Sequence, residues 1–168
     1  MRWARVISFL SGFFFLAFAG SELHEDTVSN SITSHPITGG VSKVLPLYMD
    51  LKGQTATSPS LFDRDAYQFN LLTRHTNEIS GICFNVLWKA HNARGLNLKL
   101  RLVLRGIGPG GLPTGTNLEQ TVTPRLFHHW ASLTLDGKGY KNFGALVAWH
   151  ATLWNGSQLV GEQKSYLW

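Results

Sequence analysis

Residues 97–105 read Asn-Leu-Lys-Leu-Arg-Leu-Val-Leu-Arg. Leu98, Leu100, Leu102 and Leu104 stand two apart, and Lys99, Arg101 and Arg105 fall on the alternate positions. On a helix these leucines would be scattered around the cylinder, whereas on a strand they share one face. The segment therefore predicts a strand with an apolar inner side and a cationic outer side. A chain carrying such a strand must supply a second apolar layer to cover it.

The rest of the chain offers that layer in short pieces separated by turn signals. Val44 to Leu51 predicts a strand, with Pro46 pointing to a sheet edge. Ala66 to Arg74 alternates, with Tyr67, Phe69 and Leu71 on one side and Gln68, Asn70 and Arg74 on the other. Gly81 to Ala90 sets Ile82, Phe84, Val86 and Trp88 on one face. Further strands are expected at Leu118 to Thr123 and Phe127 to Leu135, followed by a tight turn at Asp136-Gly137-Lys138-Gly139. Phe143 to Trp154 is apolar on both faces in its middle, as a central strand would be. Asn155-Gly156 then signals a hairpin into Leu159 to Trp168. A three-residue loop pairing Leu153 with Leu159 and Ala151 with Gly161, and placing His150 opposite Glu162, separates apolar from polar residues best.

About eight strands and no helix give an all-β chain, a single antiparallel β-sandwich of immunoglobulin- or fibronectin-like architecture. Leu, Val, Phe, Trp and Thr suit half-buried pleated surfaces, and the 17 glycines punctuate the turns. The Cys, Trp, Cys arrangement of true immunoglobulin domains is absent, because Cys83 is the only cysteine. No internal disulfide is possible, and Cys83, in an apolar run, is expected to be structural.

Export follows from the first residues. Arg2 and Arg5 precede an apolar run from Val6 to Ala19, which ends in Ala17-Phe18-Ala19. This is the layout of a secretory signal peptide, and its apolar run of about 14 residues falls short of the ~20 that a spanning helix needs. The expected organisation is a signal peptide over residues 1–19, a flexible spacer over 20–42 and one domain over 43–168. The mature chain would be periplasmic or extracellular. The formal net charge of +5 drops to about +3 once Arg2 and Arg5 leave. So mild and dispersed an excess does not point to nucleic acid, which needs a clustered basic face.

No motif carries clear chemistry. Gly106, Gly108 and Gly111 have the G-x-G-x-x-G spacing, but Leu112-Pro113-Thr114-Gly115 follows where a dinucleotide fold needs a helix. His128 and His129 are adjacent on a predicted strand and so point to opposite faces, and His75, His91 and His150 stand alone. Asp63 and Asp65 would share one side of an extended segment at the start of a strand, too thin a set for calcium. No catalytic site, metal site or cofactor is expected. Among the tryptophans, Trp88 and Trp149 lie on apolar faces, and Trp154, beside the hairpin turn, is the candidate for exposure and for stacking on a sugar. Asn155-Gly156-Ser157 is also a glycosylation sequon. Lys99, Arg101 and Arg105 form the other candidate contact surface. Tyr166 and Trp168 end the chain as outer-membrane barrel strands end, but Glu162 and Lys164 on the same side would meet lipid at a cost.

Three strings, Asp63-Arg64-Asp65-Ala66-Tyr67-Gln68, Val86-Leu87-Trp88-Lys89-Ala90 and Glu162-Gln163-Lys164-Ser165-Tyr166-Leu167-Trp168, resemble segments of short exported proteins of verrucomicrobial-type bacteria. The resemblance implies export, names no activity and transfers no functional residue. The chain is thus expected to be an exported, non-catalytic β-sandwich that binds or assembles with a protein or an envelope glycan. A carbohydrate-binding module using Trp154 and a small eight-stranded outer-membrane barrel are the alternatives. A membrane is expected as a partner only for the barrel or for an uncleaved signal segment.

Overall fold

A computed structural model describes residues 35–168. The expected signal peptide over 1–19 and most of the expected spacer lie outside the described residues. The order is β1 (Thr38–Met49), α1 (Leu61–Thr73), β2 (Gly81–His91), β3 (Leu98–Ile107), β4 (Pro113–Val122), β5 (His129–Asp136), α2 (Gly137–Phe143), β6 (Ala145–Asn155) and β7 (Gln158–Lys164). All strand pairs are antiparallel. One sheet runs β1-β2-β5 and the other β4-β3-β6-β7, and the two are not closed into one barrel.

The leucine alternation of residues 98–104 builds the core. All four leucines are fully buried against Ile82, Phe84, Val86 and Trp88 from the facing sheet. Ala131, Leu133, Leu135, Ala151 and Leu153 complete the layer between the sheets. Burying this apolar area supplies the main driving force. β1 is an edge strand and β6 lies between β3 and β7, as Pro46 and the apolar run of 143–154 predicted. β1 also lies beside β7, the edge of the other sheet, without pairing to it. The approach is so tight that a Cβ on Gly161 would come within 2.5 Å of the Gly40 Cα.

Several expectations are corrected. The described residues form seven strands, and β1 begins at Thr38, inside the expected spacer. Residues 66–74 are not a strand. Residues 66–73 belong to α1 and Arg74 caps its end; Ser60 is its N-cap, whose side chain accepts a hydrogen bond from the Asp63 amide. Asp63 is therefore in the first turn of a helix, with Asp65 two residues further round it rather than on the same side, and Asp63 accepts from the Ser58 hydroxyl at 2.9 Å. The side chains turned inward are Arg64, Tyr67, Gln68 and Leu71, an i, i+3, i+4, i+7 stripe. Residues 137–143 form a short helix whose Phe143 joins the core, where a tight turn was expected.

The last hairpin turns on Gly156 and Ser157, with Asn155 opposite Gln158 and Leu153 opposite Gly161. An irregularity between Leu153 and Trp154 shifts the register, so the three-residue loop is overturned. His150 stands opposite Lys164, yet its Nε2 still reaches the Glu162 carboxylate at 2.7 Å. Cys83 is only half-buried. It faces away from the core, and its thiol points to the Asn85 Oδ1.

Candidate functional site

The outer face of the three-stranded sheet is a regular grid. Register places Lys43, Leu87 and Trp130 in one row, Leu45, Asn85 and Ser132 in the next, and Leu47, Cys83 and Thr134 in the third. Asn85 sits at the centre, and its Oδ1 accepts from the Ser132 hydroxyl at 2.7 Å. Both Asn85 amide hydrogens are left without a partner among the described residues. Trp130 is 54% exposed.

α1 walls this face along the edge of β1. The Gln68 side-chain amide donates to the Tyr48 carbonyl at 3.0 Å and accepts from the Tyr48 amide at 2.7 Å. One side chain thus pairs with the free edge as a neighbouring strand would. At the far end of β1, the Tyr67 hydroxyl donates to Asp50 at 3.1 Å. The amides of Gln54 and Lys52 also donate to the Asp50 carboxylate. The Gln54 amide, with Tyr67 and Lys52 adding to it, holds the Asp50 carboxyl below its ordinary range. Tyr67 responds in the opposite sense: desolvation first, and then the Asp50 charge, push its phenol up.

Between helix and sheet runs a groove of about 680 Å³ with Leu45, Leu47, Leu61 and Trp130 as its apolar lining and Arg64 and Asp65 on the helix side. On its far side α1 exposes a second apolar surface. Phe62 is 80% exposed and Phe69 63%, and Leu61 and Leu72 lie beside them. An exposed apolar patch of this kind is a candidate contact surface.

The outer face of the four-stranded sheet carries all four residues singled out from the sequence. Lys99 stands directly opposite Trp154, Arg101 opposite Thr152, and Arg105 opposite Ala148. The structure brings them together and then occupies them. The Glu119 carboxylate takes Arg101 at 2.6 Å and Lys99 at 3.3 Å, and these two cations hold its carboxyl below the ordinary range. The Arg105 guanidinium lies 3.9 Å from the centre of the Trp168 ring. Trp168 also packs tilted against His150, with ring centres 5.0 Å apart. The tail is held there by Ser165, which donates from its amide to the Trp149 carbonyl and accepts the Trp149 amide on its hydroxyl.

Trp154 is half-buried, not exposed, and its indole Nε1 is buried without a partner among the described residues. The flat ring available to a ligand is that of Trp130, which sequence reading passed over. The alternation of Ala131, Leu133 and Leu135 toward the core already sets Trp130 on the opposite face. The apolar surface of α1 was missed with the helix itself, although Ser60-Leu-Phe-Asp63 has the spacing of a helix-capping sequence. Among the described residues no group of three or more His, Cys, Asp or Glu side chains could hold a metal ion, and no helix is long and apolar enough to cross a membrane. Compared with protein-family models, curated proteins and solved structures, the chain matches none of them.

Proposed function

We propose that this chain is an exported, non-catalytic β-sandwich that binds a protein partner through α1 and the outer face of the three-stranded sheet. The observation that carries the reading is the exposure of Phe62 and Phe69 on a helix whose other face is already docked. Large aromatic side chains left in water at a wall beside a groove are the anchors that interfaces use. The two carboxylates with displaced proton affinity, Asp50 and Glu119, are both held toward the ionised form by partners that fix a loop and a strand pair. A general acid needs the reverse.

The sugar-binding reading moves from Trp154 to Trp130. It is favoured by the exposed Trp130 ring lying beside the free amide of Asn85 and the Ser132 hydroxyl. Export rests on the layout of residues 1–19. Mass spectrometry of the protein recovered from expressing cells should find an N-terminus at Gly20 or Ser21, and an intact Met1 would overturn cleavage.

Binding is tested by affinity purification from the envelope fraction with the parent chain and with Phe62→Ser/Phe69→Ser. A partner retained by the parent and lost by the variant supports the protein reading. Equal recovery by both overturns it. Binding to immobilised glycans that is lost in Trp130→Ala and kept in the phenylalanine variant would favour the sugar reading instead.

A further inference from the structure

A cavity of about 980 Å³ lies at the end of the three-stranded sheet where β2 ends and β5 begins. It is formed by the end of β2, the loop into β3 and the loop from β4 to β5. Arg94, Arg125, His35, His91 and His129 line it, and no described carboxylate does. Of the carboxylates of the described residues, Asp50, Glu78 and Asp136 lie toward the other end, Asp63 and Asp65 on the first half of α1, with Asp65 in the groove beside Lys43 and Trp130, and Glu119 and Glu162 on the outer face of the four-stranded sheet. Arg94 and Arg125 make no salt bridge among the described residues. His129 stacks on Trp88, ring centres 5.5 Å apart, and its Nε2 is buried without a partner among the described residues.

The rim of this cavity is apolar. Leu126 is 72% exposed and Phe127 79%, adjacent residues at the tip of the β4–β5 loop between Arg125 and His128. A soluble anion would use the cations and leave these two side chains in water. A protein groove would use the apolar pair but would not call for a cavity whose described lining holds cations and no carboxylate. One surface uses both: an apolar layer beneath a sheet of phosphates.

We propose that this end of the molecule docks on an anionic lipid surface. Leu126 and Phe127 enter the interfacial layer, and Arg94 and Arg125 meet headgroup phosphates. The surface is separate from the one assigned to a protein partner, so either can fail without the other.

The test is cosedimentation of the protein recovered from expressing cells with vesicles of phosphatidylglycerol and phosphatidylcholine, and with phosphatidylcholine alone. Amide hydrogen exchange of residues 91–96 and 123–129 reports where contact is made. Binding and protection of both loops are expected on the anionic vesicles only. Arg94→Gln/Arg125→Gln should weaken partitioning roughly thirtyfold, at about fivefold for each basic residue near such a surface. Leu126→Ser/Phe127→Ser should abolish protection of the loop tip. Raising salt from about 0.1 M to 1 M should weaken binding, because the screening length falls from about 10 Å to 3 Å. All four variant residues are exposed, and an unchanged thermal midpoint shows that the fold is intact. Equal protection on neutral vesicles, no protection on anionic ones, or unchanged binding by either variant overturns the proposal. So does the same protection in inorganic phosphate alone, which would mark a site for a soluble anion.

Discussion

The two sheets share one core and differ on their outer faces. On the four-stranded sheet the chain answers its own charges: Glu119 takes Lys99 and Arg101, Glu162 takes His150, and Trp168 folds back over Arg105. On the three-stranded sheet the centre of the grid, Asn85, has no partner for its amide hydrogens among the described residues, Trp130 is exposed, and α1 adds two exposed phenylalanines. Residue type does not separate the faces, since each carries cations and a tryptophan. The difference lies in whether the partners come from the same chain. A face whose groups are already paired has little left to gain from a ligand, because binding must first undo contacts of similar worth.

The contrast can be broken most forcefully at Leu71, the one buried residue of α1. Leu71→Ala should cost about 2–3 kcal/mol in urea unfolding, the lower part of the range for truncating a buried leucine. It should also abolish partner binding by releasing the helix. Gln68→Ala removes the group that pairs with the β1 edge and should cost about 1 kcal/mol by the same measurement, since water can reach Tyr48 once the amide is gone. Trp168→Ala uncovers Arg105 and should cost about 0.5–1 kcal/mol, in line with an exposed cation–aromatic contact. Partner binding should be unaffected, and a loss of binding there would place the contact on the wrong sheet.

Glu119 tests the paired face by pH. Arg101, and Lys99 after it, depress its carboxyl in the folded state, so the unfolded chain takes up the proton first. The pairing therefore supports the fold above the ordinary glutamate range and is lost as pH falls through the depressed value. Carboxyl-detected NMR should show this ordering, and Glu119→Gln should flatten the acid side of the stability profile slightly, with less effect in high salt. The smallest change in stability is expected of Phe62→Ser/Phe69→Ser, within about 0.5 kcal/mol of the parent by thermal unfolding. That result beside a loss of partner binding would be the sharpest statement of the contrast.

The core was legible because its period is unambiguous. Four leucines two apart, and Ile82 to Trp88 across from them, admit one secondary structure and one buried side. Residues 66–74 misled because Tyr67, Phe69 and Leu71 alternate while Tyr67, Gln68 and Leu71 also fit a helix. Only the capping serine six residues upstream separates the two. The last hairpin misled for a different reason. A bulge inserts one residue into one strand, so a count of periods run back from the turn fails beyond it. Lys99, Arg101 and Arg105 were read as one outer face, while Trp154, read as a separate exposed ring, stands opposite Lys99 on that same face and is half-buried. Engagement of the three cations by Glu119 and Trp168 was not legible, since it depends on strand β4 and the C-terminal tail arriving at the same face.

Gln68 also carries a consequence in time. A helix held to its domain by one buried leucine, one amide pair and the Tyr67–Asp50 hydrogen bond has few contacts to break, and such segments open well below the free energy of global unfolding. The Tyr48 amide is bonded to that helix and not to another strand, so its hydrogen should exchange at the rate at which α1 lifts. Its neighbours paired with β2 should exchange more slowly. A strand edge whose covering amide comes and goes is briefly open to any extended segment nearby, and α1 sets how often that opening occurs.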